Sequence, residues 1–133
     1  MAVTRVALVS GGNRGIGLEI ARQLARRGML VVISSRDLEK GQAAAKTIID
    51  EGYPTEVVRL DITDEASVAA AVEEIVLRHG RIDILVNNAA ILIDGPGGFK
   101  SSLFELKADT ARQTFETNVL GPLRLTQAVV PIM

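Results

Sequence analysis

The chain has 133 residues, and its 15 Lys and Arg side chains nearly balance its 16 Asp and Glu side chains. Because no basic stripe interrupts this balance, neither nucleic acid nor an anionic membrane surface is a favoured partner. The absence of cysteine excludes disulfides and thiol catalysis, and a single histidine leaves no cluster with metal-ligand spacing, so no metal site is expected. With no apolar run near the ~20 residues of a membrane span, we expect a cytoplasmic protein in which residues 1–133 form one domain.

Apolar strands alternate with amphipathic helices along the chain. Strands are predicted over Val3–Val9, Met29–Ile33, Thr55–Leu60 and Ile82–Val86. Helices are predicted over about 15–27, from an Asp37 cap to Gly52, from a Thr63 or Asp64 cap to Gly80, and from about Asp109 onward. This order predicts an α/β fold, a doubly wound parallel sheet of the Rossmann type with strand order 3-2-1-4.

Several helices carry apolar residues on one face, which is the face expected to pack on the sheet. The first has Ile16, Ile20 and Leu24, the third has Val68, Val72, Ile75 and Val76, and the last has Phe115, Val119, Leu123 and Val130. The apolar face of the last helix could belong to the core or to an oligomer interface.

The sequence Ser-Gly-Gly-Asn-Arg-Gly-Ile-Gly, from Ser10 to Gly17, separates the first strand from the first helix. Glycines allow the sharp bend and the close backbone approach that a phosphate needs, and the helix start offers free N–H groups. We therefore predict a nucleotide pyrophosphate site in this glycine turn. The competing interpretation is a tight turn that binds no ligand.

Four motifs in this order resemble the short-chain dehydrogenase/reductase family over nearly the whole chain. They are the Gly-x-x-x-Gly-x-Gly spacing, Asp61, the run Asn87-Asn88-Ala89-Ala90, and Asn118 near Gly121. The resemblance implies that the glycine turn holds the cofactor pyrophosphate through Ser10, Gly11, Asn13, Arg14, Gly15, Ile16 and Gly17.

The other motifs of this resemblance imply further cofactor contacts. The Asp61 side chain and the Ile62 backbone are expected to contact adenine, with a local turn role as the alternative for Asp61. The three residues Asn87, Asn88 and Ala89 are expected to brace the sheet and line the cofactor site. Ala90 stands where the family usually has glycine, so the loop beyond it could run differently.

Cofactor choice is made at the end of the second strand, where NAD-binding sites place a carboxylate against the ribose. Here the sequence is Ser34-Ser35-Arg36. Arg36 and Arg14 offer cations to a 2'-phosphate, so we predict NADP(H), although both could be solvated surface groups. Asp37 is predicted to cap the following helix rather than to bind ribose.

Asn118 is the one residue of catalytic type in the chain. Pro122 lies four residues later and has no N–H to donate, so we expect a kink that leaves the Asn118 carbonyl free. The resemblance implies that this carbonyl holds a water that leads to an active-site lysine. The alternative is a Gly-Pro kink without function. We expect no catalytic role for His79 or for Tyr53.

The resemblance also implies a serine and a Tyr-x-x-x-Lys motif that this chain lacks, together with a fifth strand beside the fourth. We therefore expect the amino-terminal half of a longer NADP(H)-dependent oxidoreductase, homo-oligomeric when full length, which transfers hydride between nicotinamide and a small carbonyl or alcohol substrate. The fourth strand, near Val86, would form an exposed apolar edge. The glycine-rich loop Asp94–Gly98 is a candidate border of the substrate pocket. The alternatives are a non-catalytic nucleotide-binding module that pairs with another chain, and a structural fragment that binds no nucleotide.

Overall fold

The computed structural model describes residues 3–93 and 102–133. Four strands, all parallel to their neighbours, form one sheet in the order β3-β2-β1-β4, which confirms the predicted topology. They are β1 (Val6–Val9), β2 (Leu30–Ser35), β3 (Thr55–Arg59) and β4 (Ile84–Val86). Val9 is in register with Ile33 on one side and with Val86 on the other, so the ends of these strands meet at one edge of the sheet.

Helices connect the strands and cover both faces of the sheet. They are α1 (Gly15–Arg26), α2 (Leu38–Ile49), α3 (Glu65–His79), α4 (Ala108–Phe115) and α5 (Gly121–Val129), with a π-helical segment Glu116–Leu120 between the last two and a 3-10 turn Val130–Ile132 after them. Within the described ranges, no helix is long and apolar enough to cross a membrane.

The side chains of β1 alternate between two hydrophobic cores. Ala7 and Val9 belong to the core that contains α1 and α2, whereas Val6 and Leu8 belong to the core that contains α3 and α5. All four are at most 3% exposed. The sheet is therefore doubly wound, with β1 at its centre and the change of winding direction between β1 and β4.

The predicted helix caps of α2 and α3 are confirmed. The Asp37 carboxylate accepts the Lys40 N–H at 3.1 Å, and the Asp64 carboxylate accepts the Ala66 N–H at 2.9 Å. At the other end of α3, Gly80 has φ 72°, a left-handed conformation that glycine adopts without a steric penalty. Val68, Val72 and Ile75 of α3 are buried as predicted.

The predicted buried face of α1 is wrong by one position. Gly17, Ala21 and Ala25 are the buried residues of α1, whereas Ile16 is 76% exposed. These small residues let the helix approach the sheet closely. The larger Ile20 and Leu24 pack at the margin of the core instead.

The predicted long helix is interrupted by the π-helical segment, which contains Asn118 and lies where the sequence predicted a kink. In this segment the Gly121 N–H donates to the carbonyl of Glu116, five residues earlier. Leu125 and Val129 form the buried face, while Phe115, Val119, Leu123 and Val130 are each about half exposed. The predicted apolar face therefore points away from the core of this chain.

The strand bounds differ from the prediction by a few residues. The first strand begins at Val6 and the fourth at Ile84, later than predicted. The second extends to Ser35 because Ser34 and Ser35 pair with residues of β3. Within the described residues β4 pairs only with β1, and its side chains are half-buried, as expected for an apolar edge. The predicted loop Asp94–Gly98 lies outside the described residues.

Candidate functional site

A cleft of about 1130 Å³ runs along the carboxyl edge of the sheet. This is where ligands bind in open α/β sheets, at the point where the winding direction changes. The cleft brings together most of the residues predicted from the sequence: Gly11, Asn13, Arg14, Gly15, Ile16, Arg36, Asp61, Ile62, Asn88 and Ala89. Ser10, Gly17, Asn87 and Asn118 do not line it. The first group lines the cleft, Ser10, Asn87 and Asn118 support its walls, and Gly17 contributes a backbone N–H at the start of α1.

The glycine turn adopts the conformation that its sequence suggests. Gly11 has φ 64° and Gly15 has φ 58°, both in the left-handed region. The Gly11 N–H donates to the Ser34 hydroxyl at 3.3 Å, and the Gly12 N–H donates to the Ser34 carbonyl at 3.1 Å. The turn is therefore held against the end of β2, the strand that Arg36 directly follows.

Ser10 ties the glycine turn to the segment after β4. Its buried hydroxyl accepts the N–H groups of Asn88 and Ala89, each at 3.0 Å, and lies 3.3 Å from the Val86 carbonyl, to which it donates. All its hydrogen-bonding capacity is used within the protein. Ser10 therefore shapes the site from behind.

Asn88 and Gly17 meet at the start of α1. The Asn88 amide donates to the Gly11 carbonyl at 3.1 Å. A Cβ atom at Gly17 would lie 2.3 Å from the Asn88 amide nitrogen, so only glycine allows this contact. Asn87 points elsewhere, because its amide donates to the Thr126 hydroxyl of α5 at 3.1 Å.

The first turn of α1 has free hydrogen-bond donors. No side chain caps it, and the N–H groups of Gly15, Ile16 and Gly17 have no acceptor among the described residues. Such N–H groups and the positive end of the helix dipole suit an anion. The dinucleotide pyrophosphate expected from the sequence fits this arrangement.

Among the described residues, three that are cationic line the cleft. Arg14 and Arg36 were predicted, and both are exposed. Lys40 is the third, and sequence reasoning missed it. The available signal was its position, since Lys40 lies in the first turn of α2, which begins directly after Arg36 and Asp37 at the same edge of the sheet.

Asp61 makes a local turn at the end of β3. Its Oδ1 accepts the Thr63 hydroxyl at 2.6 Å and the Thr63 N–H at 3.0 Å. The hydroxyl bond is the main cause that lowers the pKa of Asp61, and the positive charge of Arg36 contributes. The turn role considered as the alternative is therefore present. The second carboxylate oxygen accepts no hydrogen bond within the described chain and can meet a ligand.

Asn118 uses its side chain to hold the backbone after β4. Its Oδ1 accepts the Ile91 N–H and its Nδ2 donates to the Ile91 carbonyl, both at 2.8 Å. Ile91 lines the cleft. Ala90, which lines it too, has no left-handed φ, so alanine fits at this position without strain.

A protein-family model described as short chain dehydrogenase matches residues 5–133. The chain belongs to the short-chain dehydrogenase family. The match includes the glycine turn, Asp61, the Asn87–Ala90 run and Asn118 together, as the resemblance of the sequence indicated.

Individual relatives and solved structures agree with this membership. Carbonyl reductase 3 (NADPH) from Homo sapiens is 39% identical over 134 positions, with 98% of this chain and 45% of that protein covered. The protein named uncharacterized oxidoreductase YxjF from Bacillus subtilis (strain 168) is 39% identical over 129 positions, with 97% and 48% covered. A crystal structure of a metagenomic short-chain oxidoreductase in complex with NADP is 34% identical, has a TM-score of 0.86 and is matched over 97% of this chain and 56% of its own.

This short-chain dehydrogenase spans about half the length of the curated relatives that it matches. Its only tyrosine, Tyr53, is followed four residues later by Val57, and Tyr53 packs against the core of α1 and α2. His79, at the end of α3, lies 2.8 Å from the Glu56 carboxylate and outside the cleft. No cluster of three or more His, Cys, Asp or Glu in the described ranges could hold a metal ion.

Proposed function

We propose that the chain binds NADP(H) in its cleft and forms the cofactor-binding half of an oxidoreductase. The reaction is hydride transfer between nicotinamide and the carbonyl or alcohol carbon of a small substrate. One observation carries the proposal: the cleft combines unpaired N–H groups at the start of α1 with cationic side chains at the end of β2. Relatives named for NADPH, or crystallised with NADP, support it.

The proposal assigns each part of the cofactor to a part of the cleft. The pyrophosphate lies on the N–H groups of Gly15, Ile16 and Gly17. The 2'-phosphate of the adenosine lies between Arg14, Arg36 and Lys40, where a planar guanidinium can donate two hydrogen bonds. Asp37 also lines the cleft, where its carboxylate accepts the N–H of Lys40 as a helix cap.

The remaining predicted residues contact the adenine and the riboses in this proposal. Asp61 and the Ile62 backbone form the adenine side, and Asn88 with Ala89 forms the side toward nicotinamide. Bound NADP(H) supplies the hydride chemistry. The residues of this chain bind and orient the cofactor and exclude water from its adenosine end.

Proton transfer to the substrate oxygen is not assigned to any residue of this chain. Asn118 keeps its proposed role as the residue whose carbonyl holds a water, while its side chain supports Ile91. A nucleotide-binding module without catalysis is the second candidate, because the chain contains no Tyr-x-x-x-Lys sequence. Both candidates require nucleotide binding, and they differ in turnover.

We also propose that the full-length form of the protein is a homo-oligomer in the cytoplasm. The exposed apolar residues Phe115, Val119, Leu123 and Val130 support an interface on the last helix, since such a face is costly in water. Sedimentation of the purified protein measures its oligomeric state. The variant Leu123→Glu should shift the equilibrium toward monomer.

Purified protein whose intact mass matches these residues provides the test of the function. A calorimetric titration should show saturable binding of NADPH, and no carbonyl compound should cause NADPH oxidation. Failure to bind NADPH would exclude both candidates. Turnover by this chain alone would contradict its assignment as the cofactor-binding half.

A further inference from the structure

Arg124 of α5 contacts two distant parts of the chain at once. Its Nη1 donates to the Ile62 carbonyl at 3.4 Å, and its Nη2 pairs with the Glu116 carboxylate, eight residues earlier. The Arg124 side chain is only 20% exposed. Glu116 opens the π-helical segment, so the ion pair spans that whole segment.

Ile62 forms one wall of the cleft and is held from behind by α5. It lines the cleft and is 6% exposed. A Cβ atom at Gly121 would lie 2.6 Å from its Cδ1, so helix and side chain are in close contact. Arg124 adds a hydrogen bond to the backbone of the same residue.

The π-helical segment supports another part of the cleft. Thr117 lines the cleft, and Asn118 binds the backbone of Ile91. Because Glu116 immediately precedes these two residues, the Arg124 guanidinium connects the start of this segment to the Ile62 wall. Arg124 therefore joins the two walls in addition to the contact between Gly121 and Ile62.

We propose that Arg124 is a positioning residue for the adenosine end of the cofactor cleft. It fixes the Ile62 carbonyl and the start of the π-helical segment together, and so sets the width of the cleft beside Asp61. This inference rests on the proposed NADP(H) binding and adds a residue that lies outside the cleft lining. Arg36 lies near the same end, since its charge contributes to the lowered pKa of Asp61.

Two probes that occupy different parts of the cleft test this role. The probe 2',5'-ADP contains only the adenosine end, and inorganic pyrophosphate occupies only the glycine turn. In the variant Arg124→Met we expect roughly tenfold weaker binding of 2',5'-ADP, because the bound state must then hold the Ile62 wall without this charged hydrogen bond. Pyrophosphate binding should be unchanged. Arg112→Met, which breaks an exposed ion pair of α4 with Asp109, is the matched control and should change neither.

Exchanging the charges of Glu116 and Arg124 distinguishes an effect on the position of the cleft wall from an effect on the stability of the protein. The double variant Glu116→Arg with Arg124→Glu keeps opposite charges but moves the guanidinium away from the Ile62 carbonyl. We expect its melting temperature to recover relative to Arg124→Met, while its affinity for 2',5'-ADP does not.

Three outcomes would overturn the inference: equal losses for both probes, an unchanged affinity of folded Arg124→Met for 2',5'-ADP, or full recovery of that affinity on reversal. If the unmodified protein binds neither probe, the proposed function fails instead. Amide exchange then decides the inference. Faster exchange at the Thr63 N–H in Arg124→Met than in Arg112→Met supports positioning, and equal exchange overturns it.

Discussion

The amide of Asn118 forms two hydrogen bonds with the backbone of a single residue, Ile91, one donated and one accepted, both at 2.8 Å. The side chain thus acts like an extra β-strand partner for the chain after β4. Because Ile91 lines the cleft, this pair of bonds connects the π-helical segment to the site. It accounts for an asparagine in the middle of a helix, where this residue is otherwise unfavourable.

The first prediction concerns the donor in that pair. In Asn118→Asp the carboxylate still accepts the Ile91 N–H, but its second oxygen faces the Ile91 carbonyl without a proton. We expect a loss of about 1–3 kcal/mol in the free energy of unfolding, as for an unpaired polar group in a partly buried site. Urea denaturation at pH 7 measures it.

Asn87→Asp is the matched control for this change. The Asn87 amide donates to the Thr126 hydroxyl, and a hydroxyl can rotate and donate to a carboxylate instead. Its cost should stay within about 0.5 kcal/mol, as for other surface substitutions. An equal loss of unfolding free energy in the two variants would mean that the contact of Asn118 with Ile91 does not contribute more to stability than the contact of Asn87 with Thr126.

A second prediction concerns the close approach at Gly17. In Gly17→Ala the new Cβ would lie 2.3 Å from the Asn88 amide nitrogen and 2.8 Å from the Gly11 carbonyl oxygen. The Asn88 amide must leave its position, so both stability and NADPH affinity should fall. Combining Gly17→Ala with Asn88→Ala removes one of the two clashes.

The double variant should therefore lose less than the sum of the two single variants. Calorimetric unfolding and NADPH titration of all three proteins measure this coupling. Simple additivity would show that Asn88 and Gly17 act independently, contrary to the contact described above.

A third prediction concerns acid. The Arg81 guanidinium bound to Asp83, together with the Val6 N–H, holds the pKa of Asp83 below its ordinary value of 3.8. A carboxylate whose pKa is lower in the folded than in the unfolded state stabilises the folded protein. This stabilisation is complete above the unfolded-state pKa and is lost as the pH falls through the folded-state pKa. Asp83→Asn should therefore destabilise the protein at pH 7.

The difference in stability between the unmodified protein and Asp83→Asn should shrink below about pH 4. Asp109→Asn, in an exposed ion pair of α4, is the control and should have little effect at any pH. Urea midpoints at pH 7 and pH 3 give the comparison. A difference that stays constant with pH would rule out this electrostatic origin.

The fold followed from the sequence because its apolar runs and caps are local signals. The strands β1, β2 and β4 contain continuous apolar runs, and α1, α2 and α3 are each followed by a glycine, so the topology was predictable to within a few residues at each end. The buried face of α1 was not predictable, because Gly17, Ala21 and Ala25, which form it, have less apolar surface than Ile16. Close packing of these small residues depends on the shape of the sheet beneath the helix, and the hydrophobic periodicity of the sequence carries no information about that shape.

The candidate site was predictable where it depends on the strand ends. Gly11, Arg36 and Asp61 lie in one cleft because parallel strands end at one edge. The roles of Ser10 and Asn87 were harder to predict, because their hydrogen-bond partners, Ala89 and Thr126, are distant in sequence. The π-helical segment also depends on tertiary contacts.

The central claim, an NADP(H) site built on the glycine turn and two arginines, is tested most directly by titrating NADPH against NADH. The unmodified protein should bind NADPH more tightly than NADH. Arg36→Ala should lower the affinity for NADPH about 10- to 100-fold, as expected for the loss of one or two charged hydrogen bonds. NADH affinity should hardly change. Arg27→Ala, which changes an exposed arginine at the far end of α1 and outside the cleft lining, is the control and should have a much smaller effect on the affinity for NADPH. Equal or tighter binding of NADH by the unmodified protein would contradict the claim.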